Sequence, residues 1–137
     1  MQLSDDVRAF LAGRRYAHVA THDEDGAVRV TLAWVEVDGD DLLMGTLGDQ
    51  RKLRNLRRDP RVTLSFQGDD IFRYGLLEYL VVHGTAEVVE GGAPQLLQRM
   101  AVRYLGPDVT FPPMPDPPPG FTTRVRVERV GGMGSWA

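Results

Sequence analysis

The sequence contains no cysteine, so disulfides, thiol nucleophiles and cysteine-ligated metal sites are excluded, and nothing in it requires an oxidising compartment. No stretch approaches the eighteen or more apolar residues that a membrane-spanning helix needs. The first residues, MQLSDDVRAF, are acidic and amphipathic, without the basic and apolar stretches of a signal peptide, and a cytoplasmic location is expected. A global basic excess is missing too. The net charge of -3 and a pI near 5.6 argue against a general nucleic-acid binder. Two residue types are nearly absent: among 137 residues there is one lysine, Lys52, and one asparagine, Asn55.

Both fall in the stretch from Asp49 to Arg61, DQRKLRNLRRDPR, which holds six of the sixteen basic residues. Asp49 is a suitable helix N-cap, Leu53 and Leu56 form a buried stripe, and Pro60 ends the helix. Arg51 and Lys52 then occupy the first turn, where the helix dipole favours Asp or Glu. A bound anion relieves that conflict, since free backbone N–H groups and both cations would point at it, which makes the turn a candidate phosphate or carboxylate site. A solvated basic helix face is the competing reading.

An apolar content of 42% and a charged content of 26% fit one soluble domain over 1–137 with a real core. Ser4 to Leu11 reads as a short helix stopped by Gly13. From Tyr16 the period becomes two: strands are expected over YAHVAT, over VRVTLAWVEVD from Val28 to Asp38, and over LLMGT from Leu42 to Thr46. The near-continuous apolar character of the last implies burial on both faces. After the basic helix come VTLSF, from Val62 to Phe66, and a long strand from Leu76 to Glu90, with Gly84 as an expected bulge. APQLLQRMAVRYLG is a helical pattern closed by Gly106. Seven prolines between Gly106 and Gly120 make a stiff loop, read as packed on its own domain in preference to a polyproline ligand. A final strand is expected from Thr122 to Val130, before a glycine-rich tail carrying Trp136. Six strands in hairpin order with three short helices predict a mainly β fold, an antiparallel six-stranded barrel with helices at its edges.

Hairpin strands, then KLRNLRRDPRVTLSF, then YLVVHGTAEVVE, resemble the split-barrel flavin-binding proteins related to pyridoxamine phosphate oxidase, and within them the branch using the deazaflavin coenzyme F420. The resemblance covers nearly the whole chain. It is sharpest from Lys52 to Arg61 and at Gly84-Thr85-Ala86. It implies that the basic helix holds the cofactor phosphate through Lys52, helped by Arg51 and Asn55, with Thr46 supplying a hydroxyl and Thr31 bordering the ring. It also implies a homodimer with the cofactor in a groove between subunits, where Tyr79 and Trp34 of the facing subunit line the substrate side. F420 and FMN share the ribityl phosphate, so FMN is the alternative cofactor; the longer acidic tail of F420 would give Arg54 and Arg58 something to meet. The cofactor carries the hydride chemistry in such proteins, so no catalytic side chain is expected. The expected function is hydride transfer from reduced F420 to a small electron-poor substrate. A binding protein that holds a flavin, haem or other anion without turnover is the second reading.

Other constellations are weaker. His18 and His22 lie in and at the end of a strand with no carboxylate motif to complete a metal site, and His83 alternates with apolar neighbours as sheet histidines do. Ser65 and Ser135 lack a nucleophile elbow, and Gly132 and Gly134 form a G-x-G with no helix after it. Arg124, Arg126 and Arg129 match no substrate-phosphate motif, which speaks against pyridoxamine phosphate as substrate.

Overall fold

Every stretch with two-residue periodicity forms a strand in the computed structural model, which describes residues 1–137. Helix α1 (Asp5–Leu11) is followed by β1 (Ala17–His22), β2 (Val28–Ala33), β3 (Glu36–Asp38) and β4 (Asp41–Thr46). Then come α2 (Arg51–Arg58), β5 (Arg61–Ile71), β6 (Leu77–Glu90), α3 (Ala93–Tyr104) and β7 (Phe121–Met133). All pairings are antiparallel, in the order β2-β1-β5-β6-β7-β4-β3.

The strand count is seven, not the expected six, because the run from Val28 to Asp38 breaks at Trp34-Val35. Its halves lie on opposite edges of the sheet, although only two residues join them. Ala33 and Glu36 can be no more than about 11 Å apart, so the sheet must curl until its edges meet. The seam is closed by the chain and not by a ladder. Helix α3 satisfies the backbone there: the Val35 N–H donates to the Tyr104 hydroxyl at 3.2 Å, and the Val35 carbonyl accepts from the Arg103 guanidinium. Tyr104 donates in turn to the Arg15 carbonyl at 2.5 Å.

Inward-facing residues fill the barrel, among them Val19, Leu64, Phe66, Leu80, Val82 and Val125, and α1 caps one end with Val7, Phe10 and Leu11. Strand β4 is buried on both faces as expected: Leu42 and Met44 point into the barrel, and Leu43 packs against Leu96, Met100 and Tyr104 of α3. The bulge falls at Gly84, but the additional residue, Glu128, is on β7: His83 pairs with Arg129 and Gly84 with Val127. A Cβ on Gly84 would stand 2.3 Å from the Arg126 carbonyl oxygen, so this position has no room for a side chain.

Three further expectations are corrected, for the ends of β5 and β7 and for the cap of α2. Strand β5 runs on through Gly68, Asp69 and Asp70 to Ile71, so the turn is confined to residues 72–76, where Tyr74 takes φ +57°. Strand β7 continues past Val130 to Met133, pairing Gly131 and Gly132 with Val81 and Leu80. The glycine-rich tail after it, flexible in composition, is docked through its tryptophan: Trp136 lies 4.9 Å from the Phe10 ring, and its indole N–H donates to the Tyr79 carbonyl at 3.3 Å. Asp49 does not cap α2. The N-cap is Gln50, without a side-chain cap, and the Asp49 carboxylate sits one residue too early and pairs with Arg57 at 2.9 Å. No helix is long and apolar enough to cross a membrane.

Candidate functional site

The four basic residues that follow the first turn of α2 are all committed to the protein itself. Arg54 donates to the Asp49 carbonyl, Arg57 pairs with Asp49, Arg58 binds the His22 carbonyl, and Arg61 pairs with Asp59 at 2.6 Å. Arg51 and Lys52 make no hydrogen bond and no ion pair. These are the two cations whose place in the first turn conflicts with the helix dipole, and no acidic residue shares that turn. Arg51 is exposed, and its field helps to hold the Asp23 carboxyl low. Lys52 is only 5% exposed, and burial pushes its ammonium below the usual lysine range.

Lys52 lines a cavity of about 380 Å³ at the barrel seam. Leu32, Ala33 and Trp34 approach from the end of β2 and the break after it, and Gly45 and Thr46 from the end of β4. Leu97 and Met100 come from α3, and Tyr16 and Phe111 complete the walls. The polar end holds Thr46, Gln50 and Lys52; the far end is aromatic and aliphatic. Trp34 lies flat on the buried Tyr104, with centroids 5.1 Å apart and planes 6° apart, and meets Phe111 at 5.2 Å with planes tilted by 54°. The Thr46 hydroxyl is buried without a partner, and so is that of Thr31, two residues before Ala33 on the same face of β2. An uncompensated buried cation beside an unpaired hydroxyl is costly in a closed protein. The residues present fit a ligand with a phosphate or carboxylate at one end and a flat apolar portion at the other.

Of the predicted residues, the structure therefore brings Lys52 and Thr46 together at the cavity. Asn55 is turned the other way. Its amide donates to Thr21 at 3.1 Å and to Asp23 at 2.8 Å, and its carbonyl accepts from Arg58 at 3.3 Å. Asp23 also takes a bidentate pair from Arg29 at 2.9 and 3.1 Å, and these contacts hold its carboxyl down at about 2. Asn55 thus fastens α2 to the β1–β2 turn. Tyr79, 43% exposed, stands on the open outer face of β6, away from this cavity. Trp34, expected from a facing subunit, lines the cavity of its own chain. Arg54 and Arg58 are engaged internally and not held free for a ligand. Sequence reasoning did not single out Tyr16, Leu97, Met100 or Phe111. Leu97 and Met100 had the signal of a helix stripe, but nothing local shows that a stripe faces a cavity.

The fold and cavity define a split-barrel protein with a buried, unpaired cation facing a ligand-sized space. Residues 3–134 match the family model described as pyridoxamine 5'-phosphate oxidase, and the chain belongs to that family. No curated protein matches the sequence. Among solved structures, an F420 reductase is 24% identical with a TM-score of 0.73, covering 94% of this chain and 98% of its own. A conserved hypothetical protein from Mycobacterium tuberculosis is 26% identical with a TM-score of 0.71, covering 95% of this chain and 84% of its own. HutZ, the heme storage protein from Vibrio cholerae, is 20% identical with a TM-score of 0.68, covering 96% and 95%.

Proposed function

We propose that this protein is an oxidoreductase that binds coenzyme F420 at the seam cavity and passes a hydride to a small electron-poor molecule, with FMN as the alternative cofactor. The observation that carries the reading is the partnerless Lys52, only 5% exposed, at the polar end of a largely apolar cavity, with the exposed Arg51 one residue before it outside the lining. Lys52 would take the cofactor phosphate and Thr46 would donate its free hydroxyl to it, with the exposed Arg51 of the same helical turn adding positive charge. Thr31, expected beside the ring, does not itself line the cavity; its free hydroxyl lies on the same face of β2 as Ala33, which does. Bound there, a reduced deazaflavin supplies a hydride to an electron-poor carbon. The chain's own part is orientation and water exclusion, and the apolar walls from Trp34, Leu97 and Met100 provide both. The preference for F420 rests on the sequence resemblance and on the likeness to a protein described as an F420 reductase.

The working unit in this reading is a homodimer. The outer face of β2-β1-β5-β6 is covered by no helix and carries Ala20, Val30, Leu32 and Val81 together with Tyr79. A second chain on that face would give Tyr79 a place beside its partner's ligand and keep the groove dry.

The similarity to HutZ favours one second reading, a haem or anion carrier without turnover. Against a histidine-ligated haem at this site, no histidine lines the cavity: His18, His22 and His83 all stand on the outer sheet face. Titration with F420, FMN and haemin in parallel, following tryptophan quenching with calorimetry as a check, tests the assignment. Tight F420 binding that weakens at least about tenfold in Lys52→Ala supports it. Binding of haemin alone, or F420 binding indifferent to Lys52, overturns it.

A further inference from the structure

The proline-rich segment between α3 and β7 lies against the cavity as a strap, and its fixings are few and specific. At its far end the Gly120 carbonyl accepts from the Gly91 N–H at 2.7 Å and the Pro119 carbonyl from the Ala93 N–H at 3.0 Å. Nearer the start, a single side chain does the fastening. The Gln98 amide of α3 donates to the Val109 carbonyl at 2.9 Å, and its carbonyl accepts from the Phe111 N–H at 2.9 Å. Both polar ends of Gln98 are therefore spent on setting the two residues that flank Thr110. The result is that the Phe111 ring leaves the strap, enters the cavity and meets Trp34.

Trp34 cannot retreat from that contact. Its ring is stacked on Tyr104, which is 1% exposed and bonded to the backbone at Val35 and Arg15. The apolar end of the cavity thus has one fixed aromatic wall, Trp34, and one wall on a loop, Phe111. The fixed wall decides what stacks, and the wall on the loop decides how much fits.

We propose that Phe111, positioned by Gln98, sets the size of the flat apolar group that this cavity accepts beside its anion end, so that the ligand class is an aryl or fused-ring phosphate or carboxylate of limited reach. The inference rests on the reading that Lys52 receives an anion, and it adds the element that selects among anions. Strap loops held by one side chain are where such selection can change without disturbing the barrel core, since neither Gln98 nor the two residues it holds belong to that core.

The test is a titration of the full chain with phenyl, naphthyl and biphenylyl phosphate and with inorganic phosphate, for wild type, Phe111→Ala, Phe111→Trp, Gln98→Ala and Lys52→Ala. Phe111→Ala should improve the biphenylyl-to-phenyl affinity ratio by about tenfold, and Phe111→Trp should lower it, in keeping with the discrimination that apolar pockets achieve per small volume change. Gln98→Ala should move the ratio in the same direction as Phe111→Ala, because the wall loses its fixing. A general loss of stability would lower all affinities together and leave the ratio where it was. Ratios unchanged within twofold in both Phe111→Ala and Gln98→Ala overturn the inference while leaving the anion reading standing. If every phosphate binds Lys52→Ala as tightly as wild type, the anion reading itself fails.

Discussion

Lys52 is the residue at which stability and binding pull in opposite directions. Folding buries nearly all of the Lys52 side chain and leaves its ammonium facing the cavity with no counter-charge, and the same burial lowers its pKa. A lysine whose folded pKa lies below the unfolded value of 10.5 binds fewer protons when folded, so stability should rise as the pH climbs from the lowered pKa towards 10.5. Lys52→Met keeps the stem and removes the charge. The ligand-free variant should gain about 1 kcal/mol at neutral pH and lose that alkaline rise, as urea denaturation at several pH values would show. A variant less stable than wild type would mean that the charge is already compensated. Anion binding has the opposite dependence, because an anion prefers the protonated amine: phosphate affinity should be highest below the lowered pKa and fall above it, a trend absent from Lys52→Met and measurable by calorimetry. Lys52 was legible in the sequence because a cation in a first helical turn contradicts the dipole on local grounds. The role of Asn55 was not, because its partners Thr21 and Asp23 stand 34 and 32 residues away and only the fold brings them to it.

The basic helix is placed by a polar junction with the β1–β2 turn in addition to its buried leucines, and that junction titrates. Asp23 is held at about 2, against 3.8 when unperturbed, chiefly by the hydrogen bonds from Arg29 and then from Asn55. A carboxylate with a depressed folded pKa contributes stability that is complete above about 4 and disappears as the pH falls through about 2. Wild type should therefore lose stability over that acid window by more than Asp23→Asn does, and far-ultraviolet circular dichroism melts between pH 5 and pH 2 would register the difference; parallel losses would show that the junction is not what acid releases. The neighbouring sheet has a stricter constraint. Gly84→Ala would place a methyl 2.3 Å from the Arg126 carbonyl at the bulge, and rigid ladder bonds on both sides prevent the backbone from moving aside. A loss of about 2 to 3 kcal/mol in thermal or denaturant unfolding is expected. That bulge was legible, since a lone glycine within an alternating run marks a bend. The break at Trp34-Val35 was not. Alternation passes through it without interruption, and the groups that break it, Arg103 and Tyr104, lie on a helix some seventy residues further on.

At the scale of the whole molecule, the barrel class was readable from hairpin spacing, but the sheet's inverted edge was not. On β2 the outward positions are Val28, Val30 and Leu32, each about 60% exposed, while Arg29 and Thr31 point inward. A solvated edge strand would place these the other way round, with charges outside to discourage pairing. Period-two alternation shows that two faces differ without saying which one meets water, and β2 reads equally well in either sense. The physical consequence is a face without a helix, apolar on β2, at Ala20 of β1 and at Val81 and Tyr79 of β6, with the polar Thr63, Ser65 and Gln67 of β5 between them, whose exposed apolar side chains gain from being covered. A second copy laid on it buries these side chains twice over, at one isologous interface. Sedimentation at micromolar concentration should then report twice the 15.3 kDa of one chain. Leu32→Glu should shift the protein towards the monomer, because it places a carboxylate among the exposed apolar side chains of the edge strand β2. Leu32 also lines the cavity, so Val30→Glu, whose residue does not, is the variant that separates assembly from binding. If Val30→Glu dissociates the dimer and cofactor affinity falls with it, the ligand groove is shared between two chains. A monomeric wild type that still binds cofactor would mean that one barrel, closed by its strap, suffices, and the apolar face would have to serve a different partner.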